Sequence, residues 1–363
     1  MWPDRRIQDL LGVALPIVQA PMAGAVRADL AVAVAQAGGL GSLPCALLRP
    51  DEIRAEVGIF RQRTDRPLNL NFFCHAPAVP DPAREAAWRA RLAPLYHAHG
   101  LDPAAPVPSS NRAPFDADLC ALVEDLRPEV VSFHFGLPER ALLVRVAATG
   151  ARILSSATTV DEAVWLEAEG CDAIIAQGAE AGGHRGMFRT DDIATQIGTL
   201  SLVPQIVDAV RVPVIAAGGI TDGRGIAAAL MLGAAGVQIG TAYLFCPEAT
   251  VAAPHRRALA EGSGRETALT NVFTGRPARS IVNRAMRDLG PISPDAPAFP
   301  LAGGALAPLR AATEPAGSED FLPLWSGQSA ALGRPMPAGA LTRHLADTAL
   351  ERLAEVGRPQ GSA

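Results

Sequence analysis

The segment AQGAEAGGHRGMF, residues 176–188, places Glu180, His184 and Arg185 among four glycines, directly after the apolar run CDAIIAQG. Of these three side chains, imidazole is the one that changes charge near neutral pH, so it can hold an anion or take a proton. The glycines (178, 182, 183 and 186) let such a loop approach a bound ring closely and aim the imidazole. Glu180 and Arg185 read as support, either an ion pair that fixes the loop or solvated charges.

Other candidate groups stand at the ends of the remaining apolar runs. They are Gln19 and Met22, Asn69 and Asn71, His134, Ser155 and Ser156, Gln177, Gly218 and Gly219, and Gln238, Gly240 and Thr241. This set is neutral and hydrogen-bonding, without the paired carboxylates of glycosidases or the clusters that hard cations and zinc require. AAGGITDGRG and QIGTA have the composition of a phosphate cradle, in which backbone N–H groups and a helix N-terminus hold the anion. Amides such as Asn71 and Gln177 suit a flat heterocycle with alternating donors and acceptors. A flavin fits that description, and by composition another phosphorylated ligand fits as well.

All 32 basic residues are arginine and the chain has no lysine, which excludes Schiff-base, PLP-aldimine and Walker-lysine chemistry. A net charge of −5 argues against nucleic acid as a partner. The five scattered cysteines form no CxxC and no disulfide framework, so a reducing, cytoplasmic setting is expected. The uncharged run from Leu30 to Leu48 is broken by Gln36, three glycines and Pro44, and reads as helix, turn and strand rather than a membrane span.

The elements that must position these groups alternate along the 363 residues. Eight apolar runs, at 16–22, 40–44, 68–73, 130–136, 152–158, 172–178, 212–220 and 236–244, are separated by segments with helical periodicity. Near-continuous apolar strands suit a parallel sheet buried on both faces. The expected fold is a (β/α)8 TIM barrel over 1–246, with a doubly wound open sheet as the alternative. In a barrel the candidates above lie at its catalytic end. Thr158 or Thr159 with Glu162 suggests a capping box. Residues 74–113 form an insertion after the third strand, read equally as surface or as a lid. His75, His97 and His99 within it are expected at the surface. Residues 247–363 are expected to form a helical extension packed on the barrel, in which Trp325, Ser326 and Gln328 either close over the site or anchor the tail.

PIVQAPMAG, NLNFF, SFHFG, QGAEAGGHRG, PVIAAGGI and GVQIGTAYL, in that order, together resemble the nitronate monooxygenase family, formerly called 2-nitropropane dioxygenases. TNVFTGRPAR (270–279) and FLPLWSGQSA (321–330) extend the likeness, which spans residues 7 to 350; Ser280 stands where a glycine is expected. The resemblance implies FMN bound in a TIM barrel, with Met22, Asn71, Gln177, Gly182, Gly218, Gly219, Gln238, Ile239, Gly240 and Thr241 at the cofactor. It places His184 as the active-site histidine and His134 as a second one near the substrate, and implies no metal. The implied reaction is oxidation of alkyl nitronates, propionate 3-nitronate among them, by O2 to carbonyl compounds and nitrite through a flavin semiquinone. Two other readings stand beside it: an NAD(P)H-dependent flavin reductase of quinones or enoyl thioesters, and a non-catalytic phosphate-ligand binding protein.

Overall fold

The computed structural model describes residues 1–108, 112–261 and 266–356. The eight apolar runs form eight parallel strands: β1 (Ile17–Gln19), β2 (Gly41–Pro44), β3 (Leu68–Phe73), β4 (Val130–His134), β5 (Arg152–Ala157), β6 (Ala173–Gln177), β8 (Val214–Ala217) and β9 (Gly236–Ile239). Their spatial order is β1-β9-β8-β6-β5-β4-β3-β2. The remaining seam closes where Leu40 N–H donates to Ile17 O and Gln19 N–H to Leu40 O, both at 2.9 Å. The fold is the expected (β/α)8 barrel. Between Gln177 and β8 lies a two-residue strand, β7 (Gly183–His184), which joins β10 (Thr267–Thr270) and β11 (Ala278–Ile281) in a separate antiparallel sheet.

Helices cover the barrel, and a continuous core of Val, Ile, Leu and Ala side chains fills the space between them and the strands. Inside, Val18, Leu40, Val130, Leu154, Ile175 and Ile215 pack across the axis, and Ile7 and Leu11 of the N-terminal helix join that cluster. The helix Ala338–Val356 packs against Gly223–Met231 and Ala28–Gln36, in the place of the eighth barrel helix. The last element of the expected extension therefore belongs to the ring, pinned by a 2.8 Å bond between Tyr243 OH and Thr342 Oγ1.

The insertion and the chain after β9 build one cap. Trp88, Leu92 and Tyr96 of the helix Pro82–Ala98 share a second core with Phe273, Met286, Leu309 and Phe321. Trp88 Nε1 donates to Ala302 O at 3.1 Å and Tyr96 OH to Ala305 O at 2.6 Å. The insertion is thus bound into the cap, neither a loose surface segment nor a lid on its own. Among the described residues no helix is long and apolar enough to cross a membrane.

Candidate active site

A cavity of about 320 Å³ opens at the C-terminal ends of the strands, roofed by the cap. Met22, Asn71, His134, Gln177, Gly182, His184, Gly218, Gly219, Gln238, Gly240 and Thr241 line it, as the sequence predicts. Ile239 does not: its side chain is buried in the core and its carbonyl accepts from Ala20 N–H. Gln19, Asn69 and Ser155 also lie below the cavity, bonded within the barrel. Gln19 Oε1 accepts from Ser42 N–H, Asn69 Nδ2 donates to Ser42 Oγ, and Ser155 Oγ donates to Phe133 O and Gly136 O.

The loop after β6 is held from several sides. Gln177 Nε2 donates to His184 O at 3.0 Å and its Oε1 accepts from Gly186 N–H at 2.7 Å, so its amide folds the loop back on itself. Arg185 is fully buried and donates to Gln177 O, Gly178 O and Gln196 Oε1 at 2.6–2.8 Å. Burial pushes its pKa down to about 10. Glu180 turns away and accepts from Thr199 N–H and Oγ1, so the two charges support the loop separately rather than as an ion pair. Glu162, also fully buried, accepts from Thr158 and from the Phe188 N–H, while Thr159 caps the helix. The glycines give close packing onto protein: a Cβ on Gly182 would lie 2.5 Å from Gly327 N, and one on Gly186 2.9 Å from His134 Cε1. β11 completes the support, with Ala278 paired to His184.

His184 sits among Phe73, Phe135, Phe299 and Trp325, with ring centroids 5.4–6.2 Å away. Its Nε2 meets Thr274 Oγ1 at 3.0 Å, and its Nδ1 bonds to no group among the described residues and faces the cavity. Desolvation first, then the charges of Arg112 and Arg276 and the neighbouring histidines, hold its pKa well below the usual range. His134 Nδ1 meets Ser156 Oγ at 3.0 Å and Nε2 meets His184 O at 3.3 Å. Both nitrogens are engaged with the protein, so His134 helps hold the loop while its ring lines the cavity. His75, expected at the surface, is buried against Phe299 at 4.7 Å. The spacing of the sequence does not reveal Thr274, Phe299, Arg112 or Arg276, which the cap brings in; Trp325, by contrast, does line the cavity. Phe135 takes φ +70°, a strained value for an aromatic residue, and carries the Arg276 guanidinium 4.2 Å above its ring.

These neutral histidines have a consequence for stability. Burial pushes His134 down to about 3 and His255 to about 4, while an unfolded chain titrates near 6.5. Between about pH 6.5 and 5 the unfolded state takes up protons that the folded state refuses. Stability is fully present above that window and falls as pH drops through it, by about 1.4 kcal/mol per unit for each such histidine. Urea unfolding across the window should show this slope, and a flat midpoint would contradict neutral burial.

In the same cavity, Gly218 and Gly219 adopt φ +107° and +71°, which lets the chain turn sharply after β8. The Gly218, Gly219, Gly240 and Thr241 amides donate to no acceptor among the described residues. The helix Gly223–Met231 is already capped by Asp222, so the free amides, rather than that helix start, are what an anion would meet. Among the described residues Gln238 Oε1 is buried without a partner, and Asn71 spends its amide nitrogen on Ser132, leaving its oxygen for a ligand. Met22 Sδ lies against Gly240. A cradle of free amides at one end and unpaired amide carbonyls along the wall fit a flat, amide-bearing ring with an anionic tail. Among the described residues no three His, Cys, Asp or Glu side chains converge as metal ligands do.

A model of the family described as nitronate monooxygenase matches residues 4–347. The chain is 45% identical over 346 residues to the nitronate monooxygenase of Pseudomonas aeruginosa, which covers 94% of this chain and 98% of that one. The chain belongs to the nitronate monooxygenase family. Its structure is similar to the nitroalkane oxidase from Streptomyces ansochromogenes, with a TM-score of 0.88 and 40% identity over 97% of this chain and 100% of that one. It is also similar to FabK from Thermotoga maritima, with a TM-score of 0.72 and 26% identity over 98% and 99% of the two chains. Nitronate monooxygenases are flavin-dependent oxidoreductases that act on nitronates, and the cavity fits that class of cofactor.

Proposed function

We propose that the protein binds FMN and uses O2 to oxidise alkyl nitronates to carbonyl compounds and nitrite. The observation that carries this reading is the pairing, across one cavity, of an imidazole nitrogen open at Nδ1 with a cradle of unspent backbone amides. Gly218, Gly219, Gly240 and Thr241 would hold the phosphate through N–H groups, with Met22, Asn71 and Gln238 along the ring. FMN, when bound, supplies the electron acceptor for the nitronate and the donor for oxygen. The protein supplies an enclosed, aromatic recess and its charge. Arg112 and Arg276 lie close enough to disfavour a cationic His184, and the same positive field favours the negative oxygens of a nitronate. A neutral His184 can take the α-proton of a neutral nitroalkane at Nδ1.

The purified protein is expected to be yellow and to release FMN on denaturation. Colourless protein that also fails to bind added FMN would contradict the cofactor assignment.

A further inference from the structure

We propose that Thr274 fixes the tautomer of His184 and thereby makes Nδ1 the proton-accepting atom. This rests on the reading of His184 as the base. Thr274 is buried, and its hydroxyl lies 3.0 Å from His184 Nε2. The same oxygen lies 3.4 Å from both the N–H and the carbonyl oxygen of Arg276. A carbonyl can only accept, so we assign the single hydroxyl proton of Thr274 to Arg276 O. Toward His184 the oxygen then has only a lone pair to offer. In that assignment Nε2 carries the hydrogen, and the lone pair of the ring falls on Nδ1, the atom open to the cavity.

The arrangement is unusual for a working histidine in what it lacks. The charged and titratable groups that face His184 are Arg112, Arg276, His75 and His134, and among the described residues no carboxylate backs the ring. A neutral hydroxyl selects the tautomer without holding a permanent imidazolium, so the ring returns readily to its basic form. When Nδ1 takes the α-proton, the electron pair of the broken C–H bond moves into the nitro group. The imidazolium keeps its Nε2–H···Oγ bond, which strengthens as the ring gains charge. Thr274 is held by the turn from Asn271 to Gly275, where Gly275 N–H donates to Asn271 O at 2.7 Å. The base thus stands on a barrel loop and its orienting partner on the cap, and docking of the two completes the site.

The test compares Thr274→Val, which keeps shape without the hydroxyl, with Thr274→Ser, which keeps the hydroxyl, using His184→Asn as control. Flavin-loaded enzymes are assayed with nitroethane, which must be deprotonated, and with preformed ethyl nitronate, which need not be. Thr274→Val should lose about 10- to 100-fold in kcat/KM on nitroethane, the scale of losing the outer partner of a working imidazole. Ethyl nitronate should be little affected, and Thr274→Ser should restore nitroethane turnover. Histidine nitrogen NMR should show His184 protonated at Nε2 in the native protein and as a tautomer mixture in Thr274→Val. If the valine variant does not fold, Thr274→Ala serves the same comparison. An Nδ1-protonated ring in the native protein overturns the proposal. So does native nitroethane turnover in Thr274→Val when His184→Asn is impaired. Native turnover in His184→Asn itself would instead remove the base reading on which the proposal rests.

Discussion

Replacing His184 with asparagine is expected to leave the cofactor bound and to lower turnover of neutral nitroalkanes by about 100- to 10,000-fold, the usual contribution of a positioned general base. The side chain lies outside the amide cradle, packed by Phe73, Phe135, Phe299 and Trp325, so its loss does not open the phosphate end. Asparagine preserves polarity, with its amide near the position of Nδ1 and short of Thr274. What it cannot do is accept a proton at the position of Nδ1. Preformed nitronates, which need no deprotonation, should suffer a smaller loss. Steady-state kinetics with both substrates on flavin-replete variants measure the split. Wild-type turnover with nitroalkanes would reduce His184 to a loop residue.

The Arg185→Met substitution should have the largest effect on the fold around the site. Arg185 has no exposed surface, and its guanidinium ties together the end of β6 through Gln177 O and Gly178 O and the segment at Gln196. Methionine fills much of the volume but leaves two buried carbonyls and an amide oxygen without donors. The expected loss is about 3–5 kcal/mol, from several charge-assisted bonds and the orphaned acceptors. Nitroalkane turnover should fall with it, because the same strand end carries Gln177, which holds the His184 carbonyl. Arg185→Lys should not rescue, since an ammonium cannot span three acceptors as the planar fork does. Urea unfolding measures the difference. Native stability in Arg185→Met would mean that β11 pairing and Glu162 hold the loop by themselves.

The barrel was readable because its strands are buried on both faces, and continuous apolar runs such as DAIIAQG and PVIAAGG leave little other choice. The place of the helix Ala338–Val356 was not readable, because helical periodicity announces a buried face without naming the surface that buries it. At the site, His184 stands out through its glycine-rich loop at a strand end. Its partner Thr274 lies in TNVFTGRPAR, a stretch that carries the family likeness without assigning that residue a role, and arrives from 90 residues away in the chain. The sequence points His75 to the surface because the insertion is rich in Pro and Ala, a composition typical of exposed segments. In fact His75 follows Phe73 into the aromatic recess. Glu180 and Arg185 suggest an ion pair by proximity in sequence, but each is turned to backbone groups that spacing alone does not reveal.

The central claim is that this cavity oxidises nitronates with oxygen. The most direct test mixes the flavin-loaded protein with ethyl nitronate in air and follows oxygen uptake and nitrite release together. Both are expected, in step with one another and without any added NADH or NADPH. The opposite result is a flavoprotein that takes up no oxygen and releases no nitrite with nitronates, yet loses its yellow colour when NADH or NADPH is added anaerobically.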